Sequence, residues 1–174
     1  MGIRQWLGLA EPKDDDDGAD AVRRIVERLE ALPPEQARLV AAFAYLLGRV
    51  ANADLDFRPE EVAEMERLVQ EAGGLDAGQA VLAVQMAKQQ NQLFGGTENF
   101  LVARQFRQLA DAAVKQRLLR CLFAVAAADG SISAVEDNEI SRIAGELGVE
   151  PGQLAALRAE FRDRLAVLNS PPSG

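Results

Sequence analysis

Two aspartate and glutamate pairs recur in this chain at one fixed spacing. Asp54 is followed seven residues later by Glu61, and Asp129 is followed seven residues later by Glu136, at a constant offset (129 − 54 = 75). Carboxylate oxygens are the ligands that calcium, magnesium and manganese take in proteins. If the two copies pack about a pseudo-twofold axis, the four side chains converge on one face, and we predict a divalent-cation site there, for calcium, magnesium or manganese.

The second turn, ADGSISAVE, matches the last half of a calcium-binding EF-hand loop but not its first half. Loop places one and three must supply carboxylates, and they hold Val125 and Ala127, so an EF-hand is excluded on ligand count. A structural role competes with a metal role. Ser133 and Glu136 have the spacing of a capping box, in which each side chain accepts the backbone N–H of the other. The two aspartates each end a helix, where turn N–H groups can bind them in place of a metal.

The composition argues against most catalytic chemistry. Its 174 residues include no histidine and one cysteine, which removes imidazole-based nucleophile pairs and argues against a zinc site. We expect the lone Cys121, inside an apolar run, to be a small buried hydrophobe. The formal net charge of −8 lacks the basic footprint of a nucleic-acid binder. We therefore expect neither catalysis nor nucleic-acid binding.

The segments that must position the acidic turns have the pattern of helices. VANADLDFRPEEVAEMERLVQEAG, from Val50, aligns without a gap on VAAADGSISAVEDNEISRIAGELG, from Val125, and places Gly73 on Gly148. Apolar residues recur at helical spacing on both sides of each turn, and no strand pattern is present. We predict an all-α fold, a compact bundle of about seven to eight helices with an internal helix–acidic turn–helix repeat. The apolar inner helices of the two copies are predicted to lie side by side.

Capping residues and charge indicate how the helices begin and face. A helix from Pro34 to about Ala53 is apolar nearly all round and must lie at the centre of the core. The predicted N-caps are Asp20, Asp76, Thr97, Asp111 and Ser133. A charged face is expected to be a solvated surface; it consists of Glu60, Glu64, Glu71, Asp137 and Glu146.

The chain divides into a tail, one domain and a second short tail. Residues 1–18 are predicted to be an N-terminal tail and acidic linker, 19–169 a single helical domain, and 170–174 a disordered C-terminal tail. No apolar run reaches the about 20 residues that cross a bilayer. Ile3, Trp6, Leu7 and Leu9 would share one side of a short helix, which allows weak contact of residues 1–12 with a membrane surface.

On these residues the chain resembles the TerB family, the tellurite-resistance TerB-like domains. The resemblance covers about Ala37 to Leu157 and rests on the twice-used apolar helix ending in AD, the glutamate seven residues later and the amphipathic helix that follows. It implies an all-helical bundle that acts as an interaction module in bacterial stress responses, with acidic positions that hold a metal. Those positions are Asp54, Glu61, Asp129 and Glu136. One departure is Leu55, which stands where the second copy has Gly130.

The function that follows is a non-enzymatic TerB-like adaptor in a bacterial response to tellurite or other stress. We expect it to bind a protein partner, with a divalent cation at the acidic turns, in the cytoplasm or at the periphery of the inner membrane. One alternative is a peripheral membrane module that uses the Trp6 segment. Another is an enzyme that uses the paired carboxylates, which lacks a nucleophile and a phosphate loop.

Overall fold

The computed structural model describes residues 17–54, 59–89, 99–128 and 130–162, and these ranges contain eight helices. The helices are α1 (Asp17–Glu30), α2 (Pro34–Asp54), α3 (Pro59–Glu71), α4 (Ala77–Lys88), α5 (Asn99–Leu109), α6 (Ala112–Ala126), α7 (Ala134–Glu146) and α8 (Pro151–Glu160). Across the described ranges no residue belongs to a β-strand, apart from a single bridging position at Ile132. The all-α prediction is confirmed.

Most helices begin where the sequence places a proline or a capping side chain. Proline is the first residue of α2, α3 and α8, where its missing N–H costs no hydrogen bond. The Asp76 carboxylate accepts the Gln79 N–H at 2.8 Å, and the Asp111 carboxylate accepts the Val114 N–H at 2.9 Å. These caps confirm the predicted starts of α4 and α6.

One predicted cap is wrong and another cannot be assessed. Helix α1 begins at Asp17, so Asp20 lies within its first turn and is not the N-cap. The reason is that a helix N-terminus favours negative charge throughout its first turn, so a run of aspartates does not mark one starting residue. Thr97 lies outside the described residues, as do residues 1–16 with the Trp6 segment.

Helix α2 is the central element of the core. Every residue from Val40 to Ala51 is buried, and the helix packs against α1, α4, α5, α6 and α7. A helix surrounded in this way must be apolar nearly all round, as its sequence predicts. Within the described ranges no helix is both long and apolar enough to cross a membrane.

The internal repeat is visible in the lengths and packing of the helices. Helix α3 begins and ends 75 residues before α7 (134 − 59 and 146 − 71). The inner helices of the two copies, α2 and α6, pack against each other, and each also packs against the outer helix of the other copy, α2 on α7 and α6 on α3. The predicted contact between the two inner helices is therefore confirmed.

The two outer helices end in register, but the left-handed glycine that follows each of them is one residue out of step. Gly148 has a φ of +72° and follows α7 in a Schellman motif, in which the Val149 N–H donates to Ala144 at 3.0 Å and the Gly148 N–H donates to Gly145 at 3.1 Å. After α3 the left-handed residue is Gly74, with a φ of +73°. The alignment of Gly73 with Gly148 therefore holds in sequence but not in conformation.

Candidate functional site at the second acidic turn

The second acidic turn joins α6 to α7 through a glycine and a buried isoleucine. The Gly130 N–H donates to the Ala127 carbonyl at 3.0 Å, and Gly130 has a φ of +105°. A residue with a Cβ adopts that conformation only with strain. Ile132 is 1% exposed and anchors the turn to the core. From Gly130 onward the described residues of the turn lead directly into the first residues of α7.

Glu136 lies buried in the first turn of α7. The Ser133 hydroxyl accepts the Glu136 N–H at 3.2 Å, which confirms the serine half of the predicted capping box. The reciprocal bond to the Ser133 N–H is not part of this cap. Both carboxylate oxygens of Glu136 are instead buried, and the residue is 1% exposed. The helix N-terminus favours a negative charge at this place.

The structure describes one side chain of the four predicted metal ligands. Asp54 and Glu61 lie at the end of α2 and in the first turns of α3, but their side chains are outside the description, and Asp129 lies outside it entirely. Among the side chains that are described, no three from histidine, cysteine, aspartate and glutamate lie close enough to hold a metal ion. A joint site of all four carboxylates therefore stays a prediction.

Asp137, next to Glu136, corrects the prediction of a solvated charged face. The residue is 8% exposed, and its carboxylate accepts a hydrogen bond from the Arg158 guanidinium of α8 at 2.6 Å. Arg120 of α6 binds Glu160 of α8 at 2.9 Å. The last helix is thus joined by ion pairs to both helices of the second copy, and Asp137 serves that contact instead of facing water.

A buried arginine of the first copy binds two glutamates of the second. The Arg49 guanidinium contacts Glu139 at 2.8 Å and Glu146 at 2.7 Å, and its side chain is 5% exposed. Glu146 is therefore not part of a solvated face either. No role for Arg49 was predicted from the sequence. A single cation within the long apolar run of α2 is nevertheless a signal for a buried partner, since an unpaired charge there would be costly.

We define the Arg49 cluster as Arg49, Glu139 and Glu146. Contacts within the cluster change the pKa of Arg49 and of a neighbouring tyrosine. Desolvation by itself would lower the pKa of Arg49, but hydrogen bonds to Glu146 and Glu139 outweigh it and raise that pKa above its ordinary value. Burial, together with the two glutamates, raises the pKa of the nearby Tyr45. The guanidinium is thus held charged at the contact between α2 and α7.

The first copy contains the same two glutamates without the cross-copy arginine. Glu64 and Glu71 are the repeat counterparts of Glu139 and Glu146, and both bind Arg67 of their own helix at 2.6 Å. These pairs are exposed, and the bond to Arg67 lowers the pKa of Glu64. The counterpart of Arg49 is Ala124 (49 + 75). Among the described side chains, the glutamates of α7 therefore bind an arginine of the other copy, whereas their counterparts on α3 bind one of their own helix.

A cleft between α5 and α7 lies beside the Arg49 cluster. Its volume is about 520 Å³, and it is lined by Arg104, Arg107, Gln108 and Glu146. The Arg107 guanidinium lies against the backbone of Gly148, where an added Cβ would stand 2.8 Å from its Cζ. Glu146 thus contributes a carboxylate, already bound by Arg49, to one wall of this cleft.

Comparison with known proteins identifies one family. The model of the family described as "Tellurite resistance protein TerB" matches residues 39–159, well over half of the chain. The match includes α3 to α7 and most of α2 and α8. No curated protein and no solved structure matches the chain.

Proposed function

The chain belongs to the TerB family of tellurite resistance proteins, and from that premise we propose that it is a non-enzymatic interaction module of a bacterial stress response. In this proposal it binds a divalent cation at the second acidic turn and a partner protein beside it. The observation that carries the proposal is the burial of Glu136 in the first turn of α7, directly after the turn at Gly130.

Burial strengthens the Coulomb attraction between the Glu136 carboxylate and a bound cation. The attraction between a carboxylate and a cation grows as the local dielectric constant falls. The spacing of the repeat places Asp129 on the same turn, and carboxylate, carbonyl and water oxygens together make up the usual ligand set of calcium and magnesium. We therefore assign the cation to the second copy, with Asp129 and Glu136 as its carboxylate ligands.

The partner protein is proposed to contact the same end of α7. Val135 is 60% exposed, and it is the large apolar side chain that the described residues leave most open to solvent. It directly precedes Glu136, so a partner that covers Val135 also covers the acidic turn. Covering an exposed valine removes apolar surface from water, which favours association.

Titration calorimetry with calcium, magnesium and manganese tests the cation. We expect the wild type to bind at least one of these ions and Glu136→Gln to bind it about tenfold more weakly or worse, because a charged ligand is lost. Glu150→Gln is the matched control, since Glu150 is exposed and makes no cap bond at the start of α8. A flat wild-type titration, or equal affinity in wild type and Glu136→Gln, contradicts the cation assignment.

Co-purification from native cells tests the partner. A tagged wild-type chain should retain a protein that the Val135→Asp variant loses. Val149→Asp is not a suitable control, because Val149 packs against the core. The control is Asn138→Asp, an exposed change on the same helix that adds the same charge. Equal retention by Val135→Asp and the wild type would place the partner contact elsewhere.

A further inference from the structure

A second cleft, between α1 and α4, has a lining that is basic in an otherwise acidic protein. Its volume is about 290 Å³. The residues that line it are Arg24, Ile25, Arg28, Gln85, Lys88 and Gln89. Three of these carry a positive charge, two carry amide donors and none is acidic. In a chain with a formal net charge of −8, this is a local reversal of sign.

The charges come from two packed helices and face one space. Arg24 and Arg28 are four residues apart on α1 and so lie on the same side of that helix. Lys88 lies in the last turn of α4, which packs against α1. The side chain of Ile25 is buried beneath them. The cleft thus has an apolar floor and cationic walls.

Two of the cations are available to a ligand. Arg28 and Lys88 are exposed, and neither forms an ion pair or hydrogen bond with any described residue. By contrast, the cleft between α5 and α7 includes Glu146, whose carboxylate repels an anion. The lining of the cleft between α1 and α4 contains no carboxylate, and positive charges gathered in a cleft attract anions. The cleft between α1 and α4 is therefore the better anion site of the two.

The side chains define the chemical class of the anion. An arginine guanidinium offers paired N–H donors that match two oxygens of a phosphate or carboxylate, and lysine adds a compact positive charge. The amides of Gln85 and Gln89 can donate to further oxygens. A volume of about 290 Å³ suits a group with few atoms, at the small end of ligand pockets.

We propose that the cleft between α1 and α4 binds a small oxyanion of the phosphate class, held by Arg28 and Lys88 with Arg24 and the two glutamines around it. The phosphate belongs either to a free anion or to the headgroup of an acidic lipid. This site is separate from the cation and partner assigned to the second acidic turn, and it stands if either of those fails.

Titration of the full-length chain with inorganic phosphate, followed by nuclear magnetic resonance at constant ionic strength, tests the proposal. We expect saturable shifts confined to α1 and α4. Arg28→Gln/Lys88→Gln should raise the Kd about tenfold or more, because two charge-assisted contacts are lost. Arg142→Gln/Arg162→Gln removes the same charge from exposed positions outside the cleft and should leave the Kd within about twofold of the wild type.

The outcomes separate the site from general attraction and from the other cleft. Equal weakening by both double variants means that net charge alone attracts phosphate and overturns the site. Loss of binding in Arg104→Gln/Arg107→Gln but not in Arg28→Gln/Lys88→Gln assigns the anion to the α5–α7 cleft and also overturns it. The thermal unfolding of each variant is measured first, and both cleft positions are exposed, so the variants should fold.

Vesicles distinguish the two sources of the phosphate group. The wild type is sedimented with vesicles of phosphatidylcholine with or without phosphatidic acid. Binding to the acidic vesicles that the cleft variant loses identifies a lipid headgroup, whereas saturable binding of inorganic phosphate without vesicle binding identifies a free anion. Neither phosphate shifts nor vesicle binding in the wild type would end the proposal.

Discussion

At the scale of single residues, Arg49 is the buried cation that binds two glutamates of the other copy. One guanidinium that is 5% exposed holds two carboxylates that are 19% and 24% exposed. Two negative groups share one positive group, so the cluster depends on the arginine more than on either glutamate. Removal of one partner from a buried ion pair leaves an uncompensated charge, which costs more than the pair contributes.

Arg49→Met should lower the free energy of unfolding by about 3 kcal/mol, the low end for a broken buried pair, because the glutamates keep some access to water. Urea denaturation of the wild type and the variant measures the change. Arg49→Met/Glu139→Gln/Glu146→Gln, which removes every charge of the cluster, should recover most of the loss. An Arg49→Met variant as stable as the wild type would show that the cluster does not stabilise the fold.

The buried thiol makes a prediction for alkaline pH. Burial raises the pKa of Cys121 from 9.0 to about 12, so between these values the unfolded chain loses a proton that the folded chain keeps. In this range the folded state binds more protons than the unfolded state. The free energy of unfolding therefore falls as pH rises, by up to about 1.4 kcal/mol per pH unit. The stabilising effect is complete below the unfolded pKa.

Denaturation of the wild type and Cys121→Ala at a series of alkaline pH values checks this. Cys121→Ala loses packing at every pH, but its stability should fall less steeply above pH 9.0. The raised pKa of Tyr45 adds a decline in the same direction that both proteins share. Parallel curves for the two proteins would exclude the thiol as the cause.

At the scale of helices and turns, the sequence predicts where several helices begin. It does not predict which glycine takes the left-handed conformation after α3. Pro34, Pro59 and Ser133 identify helix starts because their chemistry is local: a missing N–H or a side-chain acceptor suffices. Gly73 shows the limit. Its neighbour Gly74 takes the left-handed conformation, and nothing in a pair of adjacent glycines states which of them the packing will choose.

Gly73 is retained for space and not for its backbone angle. A Cβ at this position would stand 2.5 Å from the Val69 carbonyl oxygen and 2.8 Å from the Phe43 ring. Gly73→Ala should therefore lower the free energy of unfolding by about 2 kcal/mol, as overpacking of a filled interior does. Chemical denaturation measures this change.

Gly152→Ala is the matched control, since it makes the same substitution inside α8 with nothing within 4 Å of the new Cβ. It should raise stability by about 0.5 kcal/mol, because alanine restricts the unfolded chain and favours the helix. If both variants lose the same free energy, the close contact at Gly73 is not the cause.

At the scale of the whole molecule, the sequence predicts the all-α class and the contact of the inner helices, but not the ion pairs between copies. The repeat indicates which segments correspond, and the apolar character of α2 indicates that it is central. The pairing of Arg49 with Glu139 and Glu146, and of Asp137 with Arg158, depends on how distant helices rotate about their axes. Charge spacing along one helix cannot show this, so residues expected to face water proved to be buried.

The cross-packing of the copies predicts one cooperative core. Helix α6 packs against both outer helices, and α2 packs against α6 and against α7 of the other copy. Neither copy therefore keeps its core without the other. Native-state hydrogen exchange should therefore give the amides of α2 and α6 the same free energy as global unfolding. Amides of α6 that open at a distinctly lower free energy than those of α2 would show two independent halves.

The repeat counterparts Arg49 and Ala124 differ in charge, and this difference makes the two outer helices, α3 and α7, unequal in how they are held. Separation of α7 from the core breaks the ion pairs of Arg49 with Glu139 and Glu146. Separation of α3 leaves its ion pairs intact, because both partners of each pair belong to that helix. We therefore expect α3 to unfold locally at a lower free energy than α7. Hydrogen–deuterium exchange should show faster deuterium uptake in the amides of α3 than in those of α7. The bundle therefore has one outer helix tied to the core by a buried ion pair and another whose described ion pairs are all internal.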